Sequence, residues 1–159
     1  MKLIWTQDFR DFVASLNRNE VKYVLLGGYA VGWHGAPRAT KDVDFFIERS
    51  AENVRRTIRA VEEFGLSCLG FTEADLTEEN SGVFFGTPPY RVDIINFAQG
   101  ITFEEAWATR IVDDSEGMTL NVISRDLLIQ NKQSTGRPQD QVDAAVLLRR
   151  VPKLPKSRQ

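Results

Sequence analysis

Cysteine is almost absent from this chain: Cys68 is the only one in 159 residues. That excludes an internal disulfide and makes a reducing cytoplasm the expected compartment. Histidine is equally scarce, with His34 alone. A His-rich zinc site is excluded, and nothing supports a Ser-His-Asp triad. No apolar run approaches the roughly 18 residues of a membrane-spanning helix, so no membrane is expected. Met1 to Arg10 lacks the pattern of a secretory signal. An excess of positive charge is missing too. The net charge of −2 argues against electrostatic nucleic-acid binding by the whole molecule, so any RNA contact must come from a local basic patch. There is no internal repeat.

What is present is ordinary for a globular chain. An apolar fraction of 42% and a charged fraction of 26% suit one domain with a real core, expected over residues 1–148. Residues 149–159 carry five basic residues and two prolines with little apolar content. They read as a basic, disordered tail, a solubilising end in preference to an RNA contact.

Periodicity alternates between helix and strand. Thr6 to Asn17 has Phe9, Phe12, Val13 and Leu16 at helical spacing. Val21–Leu26 predicts a strand, Tyr29–His34 a short helix and Asp42–Ile47 a second strand. Ala51–Phe64 predicts a helix with Ser50 as N-cap and Gly65 as its stop. Leu66–Phe71 reads as a strand, and the acidic stretch Thr72–Asn80 as a loop or helical turn. Val83–Phe85 and Arg91–Ile95 read as a strand pair across the turn-prone Thr87-Pro88-Pro89. Phe103–Thr109 predicts a short helix, with short strands at Arg110–Val112 and Leu120–Ile123. Two helices, Ser124–Lys132 and Gln139–Arg149, follow around a Gly-Arg-Pro turn. The expected fold is α+β, a mixed β-sheet flanked by helices with C-terminal helices and carboxylates at one sheet edge.

The informative segment is Val24–Ile47: an apolar strand, Gly27-Gly28, a short helix, Arg38, Lys41, then Asp42 and Asp44 opening a second apolar strand. Strand side chains alternate, so Asp42 and Asp44 project from the same face. Two like charges that close are comfortable in water or around a cation, and hard oxygen donors suit Mg²⁺ or Mn²⁺. The bland alternative is a turn or helix cap. Gly-Gly after a buried strand favours the site, because it lets backbone approach a ligand and opens a helix whose free N–H groups can meet phosphate.

These residues resemble the minimal nucleotidyltransferase superfamily, whose signature is Gly-Gly or Gly-Ser, a short helix and Asp-x-Asp on the next strand. The match is closer to small nucleotidyltransferase-like proteins related to AbiEii-type toxins, through Gly27-Gly28, Ala30, His34-Gly35, Pro37-Arg38, Thr40, Asp42 and Asp44. Many active members carry Ser where this chain has Gly28. The resemblance implies a third carboxylate on a neighbouring strand, matched by Asp93 in the alternating run Tyr90–Ile95. It also implies a C-terminal Lys and Asp, matched by Lys132 and Asp140, with Asp143 competing for the second role. The alternatives are a solvated helix lysine and a residue favoured at a helix start.

By this resemblance the chain is a nucleotidyltransferase that moves a nucleoside monophosphate from a nucleoside triphosphate (NTP) to an RNA, tRNA or protein acceptor. The expected setting is a toxin–antitoxin or phage-defence pair, with an antitoxin or second subunit as partner. Asp42, Asp44 and Asp93 would hold Mg²⁺ or Mn²⁺, and Gly27 and Gly28 would meet the phosphates. Arg38 and Lys41 would neutralise phosphate charge or pair with a carboxylate. Tyr29 and Trp33 share a helix face and offer a base-stacking surface, though core packing is the ordinary role. His34 reads as a phosphate contact, a base, or a structural hydrogen bond that sets the Gly35 turn, the last being favoured. Asp113-Asp114 and Ser115-Glu116-Gly117 read as loop chemistry. The alternative function is a catalytically silent nucleotide-binding, regulatory or partner-binding module on the same fold. Compared with the longer AbiEii-type toxins, the chain has little of their C-terminal helical domain.

Overall fold

The structure, a computed structural model, describes residues 5–66, 69–88, 90–150 and 152. Cys68 and most of the expected basic tail lie outside the described residues. Six strands form one mixed sheet: β1 (Tyr23–Leu26), β2 (Asp42–Ile47), β3 (Gly82–Phe85), β4 (Arg91–Ile95), β5 (Ile111–Asp113) and β6 (Leu120–Val122). Their order is β3-β4-β2-β1-β6-β5. The pairs β2–β4 and β1–β6 run parallel, whereas β1–β2, β3–β4 and β5–β6 run antiparallel. The fold is α+β, as expected. The carboxylates do not sit at a sheet edge, however: β2 and β4 are both interior strands, and the acids cluster where β2 begins.

Alternation along β2 divides two environments. Val43, Phe45 and Ile47 are buried on one face. There Phe45 meets Phe9 and Phe12 of α1 (Gln7–Arg18), with ring centroids at 6.0 and 5.4 Å. Phe12 also meets Phe85 of β3 at 5.4 Å. Next to α1 on this side lies α3 (Ala51–Val61). Ser50 caps α3 by accepting from Asn53 N at 3.2 Å. A wide turn over Glu62–Leu66 follows, closed by Gly65 at φ 104°. On the other face Phe46 packs against Phe103 of α5 (Phe103–Ala108) at 5.3 Å. The acid end of that face is left uncovered.

Four further helices complete the chain's described part. α2 (Gly27–Trp33) starts directly at the end of β1, two residues earlier than the sequence pattern places it. α6 (Arg125–Ser134) is capped by Ser124 and packs against α7 (Pro138–Arg149) and α2. The stretch read as a loop or helical turn contains the short helix α4 (Glu73–Thr77), in line with the second alternative; the Asp75 carboxylate accepts from Thr72 N at 2.7 Å. No strand forms over the described part of Leu66–Phe71. Among the described residues no helix is long and apolar enough to cross a membrane.

Candidate active site

The acid cluster follows from register. Parallel pairing of β2 with β4 sets Asp44 beside Asp93 and Asp42 beside Arg91. The two carboxyls lie close enough for the charge of Asp93 to oppose ionisation of Asp44. Burial, then the charges of Asp93 and Asp42, push the Asp44 carboxyl up from 3.8 to about 6, with the Lys132 ammonium opposing them. Arg91 Nε donates to Asp93 Oδ1 at 2.8 Å while its guanidinium lies 4.0 Å from the Phe84 ring centre.

Among the described residues no three acidic, histidine or cysteine side chains are gathered closely enough to hold a metal ion as they stand. The donor chemistry nevertheless fits a hard divalent cation. Asp42, Asp44 and Asp93 offer only oxygens, and such a cation would relieve the like-charge crowding at Asp44.

Gly27 and Gly28 bring backbone against this cluster. Gly27 has φ 67°, and a Cβ there would overlap Asp44 Oδ2, so a carboxylate oxygen occupies the space a side chain would need. A Cβ on Gly28 would stand 2.7 Å from Thr40 Oγ1. The loop before β2 therefore packs directly on the first turn of α2. Arg38 lies on this loop but is already engaged: Nε and Nη2 donate to Asp143 Oδ1 and Oδ2 at 2.7 and 2.8 Å, a bidentate pair. Lys41 stands exposed beside Asp42.

A second charged cluster comes from α6 and α7. Lys132 is only 5% exposed; its Nζ donates to Asp140 Oδ1 at 2.8 Å and lies 3.1 Å from Asp143 Oδ2. Asp140 Oδ2 also accepts from Thr135 Oγ1 at 2.6 Å and from Arg137 Nε at 2.8 Å. Burial pushes both carboxyls up, but these partners outweigh it and hold Asp140 and Asp143 below their ordinary value. Both acids are buried; Asp140 is among the residues lining the open cleft, and Asp143 bridges Arg38 and Lys132.

Both clusters face one cleft of about 640 Å³, whose walls include Gly27, Gly28, Arg38, Lys41, Asp42, Asp44, Asp93, Lys132 and Asp140. Residues separated by more than a hundred positions thus converge. Tyr29 and Trp33 are not among its walls. Tyr29 stacks on Trp5 and Phe9 at 5.7 and 5.9 Å, and buried Trp33 donates through Nε1 to Asp113 Oδ2 at 2.6 Å. Asp113, read as loop chemistry, is therefore a buried acceptor on β5. His34 Nε2 donates to Ile123 O at 2.8 Å, which ties α2 to the end of β6. Arg91, Phe97, Thr135 and Arg137 are the residues that sequence reasoning missed. Of these only Arg137 carried a signal, lying within the Gly-Arg-Pro turn already singled out. Comparison with protein-family models and with curated proteins finds no match to this chain.

Proposed function

We propose that the chain is a metal-dependent nucleotidyltransferase that moves a nucleoside monophosphate from an NTP to a hydroxyl on an RNA, tRNA or protein acceptor. The observation that carries this reading is the gathering of Asp42, Asp44 and Asp93 in the wall of one cleft that Lys41, Lys132 and Arg137 also line. An excess of carboxylate in one part and Lys41, Lys132 and Arg137 in another suits a ligand that is itself a polyanion carried with divalent cations.

On this reading Asp42, Asp44 and Asp93 hold Mg²⁺ or Mn²⁺. The bound ions supply charge neutralisation and lower the pKa of the attacking hydroxyl. The backbone at Gly27 and Gly28 admits phosphate close to the strand end, and Lys41 and Arg137 meet its negative charge. Lys132, fixed by Asp140 and Asp143, presents its ammonium at a set position toward the acid cluster. The acceptor oxygen forms a bond to the α-phosphorus, the bond from that phosphorus to its bridging oxygen breaks, and pyrophosphate leaves. The acceptor proton passes to the acid cluster or to water.

A toxin–antitoxin or phage-defence setting, with an antitoxin or second subunit as partner, rests on the resemblance of the Gly27–Asp44 segment alone. One observation favours the silent nucleotide-binding module instead: Arg91 neutralises the third carboxylate by its 2.8 Å bond to Asp93. Calorimetric titration of ATP, CTP, GTP and UTP with Mg²⁺ or Mn²⁺, beside an Asp42→Ala/Asp44→Ala variant, tests the site. Metal-dependent binding of a nucleotide that the variant loses supports the reading, and absence of binding by folded wild-type protein sinks it. Binding with no transfer of labelled nucleotide to RNA or protein of a cell extract selects the silent module.

A further inference from the structure

We propose that Phe97 is the platform on which the base of the bound nucleotide stacks, an inference that rests on the nucleotidyltransferase reading of the cleft. Alternation along β4 directs Arg91, Asp93 and Ile95 to one face, and Phe97 lies two residues further along the same chain, in the wall of the same cleft. Its side chain is 51% exposed. Water at a phenyl ring is unfavourable, and Phe97 lines the cleft together with the apolar Ile95 and Ala98.

The backbone that carries the ring is fastened on both sides. Before it, buried Asn96 donates through Nδ2 to Leu76 O at 2.8 Å and Glu78 O at 2.6 Å, and its Oδ1 accepts from Ser81 N at 2.8 Å. After it, Ala98 is buried and Gln99 O accepts from Asn131 Nδ2 at 2.8 Å and Ser134 Oγ at 2.9 Å. Asn131 and Ser134 belong to α6, the helix that presents Lys132 to the cleft. The backbone under the ring and the helix that carries the ammonium are thus tied together. A tethered backbone loses little freedom when a ligand covers it.

A nucleoside triphosphate has the matching division, with an apolar base face at one end and phosphates at the other. The cleft volume of about 640 Å³ lies within the range of small-molecule sites. Every base has a π-face, so Phe97 supplies affinity without choosing among the four bases. Neither Tyr29 nor Trp33 competes for this role, since neither lines the cleft.

The test separates the base from the phosphates. ATP, CTP, GTP, UTP and inorganic tripolyphosphate are titrated with Mg²⁺ into wild type, Phe97→Ala and Phe97→Tyr. Phe97→Ala is expected to weaken nucleotide binding by about ten-fold and leave tripolyphosphate binding unchanged, while Phe97→Tyr restores the nucleotide. Unchanged nucleotide affinity in Phe97→Ala, or an equal loss for nucleotide and tripolyphosphate, overturns the stacking role. Wild-type protein that binds tripolyphosphate and nucleotides equally keeps the phosphate site and removes Phe97 from it. Wild-type protein that binds neither overturns the enzyme reading and this inference with it.

Discussion

Two charged clusters face each other across the cleft, and they are built in opposite ways. On α6 and α7 every buried charge has a counter-charge: Lys132 lies between Asp140 and Asp143, which are also held by Arg137 and Arg38. On β2 and β4 the balance is missing. Asp44 is pressed between burial and two like charges, and only Arg91 offers Asp93 a direct partner. Buried charges that are completely paired behave as structure, whereas an uncompensated cluster costs stability until something binds it. The helical cluster therefore reads as a fixed wall and the strand cluster as a receptor.

That contrast breaks most sharply at Lys132. Lys132→Ala leaves Asp140 and Asp143 buried without their shared cation, a loss of about 4 kcal/mol in denaturant unfolding. A loss below about 1 kcal/mol would mean that the wall is not held by this pair. On the strand side the sign reverses. Asp44 has a folded pKa of about 6 against 3.8, so the folded state keeps a proton that the unfolded chain gives up. Its contribution is complete below the unfolded value and is lost as pH rises through about 6. Asn mimics the neutral acid, so Asp44→Asn is expected to stabilise the metal-free protein by about 3 kcal/mol above pH 6 and to match wild type below about pH 4. Unfolding curves taken across that window would read the crossover directly. The smallest effect is the metal itself: Mg²⁺ at ten times its dissociation constant adds about 1.4 kcal/mol at pH 8. The Asp42→Ala/Asp44→Ala variant should show none of it.

Much of the strand cluster was legible in sequence because its signals are local. The Asp doublet opening an alternating apolar run defined β2 to the residue, and Ser50 marked a helix start through its cap. Asp93 was singled out by the resemblance, in a run whose alternation marked β4. The helical cluster was legible in its members but not in its wiring: Arg38 pairs with Asp143 across 105 positions, and no spacing rule reports such a contact. The same holds for Trp33 and Asp113, although the core position of Trp33 is the role favoured for it over base stacking. Leu66–Phe71 misled because a short apolar run has no period of its own. At α4 the Thr72–Asp75 cap was available but lay inside an acidic stretch whose charge suggested a loop as readily as a helical turn. Phe97 follows a strand with no pattern around it, and only the fold brings it to the cleft.

The packing of Gly28 on Thr40 also bears on how this segment can change over generations. Gly to Ser is a single-base step in the genetic code, so position 28 meets serine often by chance. Here the new Cβ would stand 2.9 Å from Thr40 Cβ as well as 2.7 Å from its hydroxyl, closer than packed side chains tolerate. Serine at 28 becomes admissible once 40 has shrunk to glycine. The two positions form one inherited character, and the order of substitution is imposed: residue 40 first, residue 28 second. Lineages derived from this chain should contain the intermediate with a small residue at 40 and glycine at 28, and lack the one with serine opposite threonine.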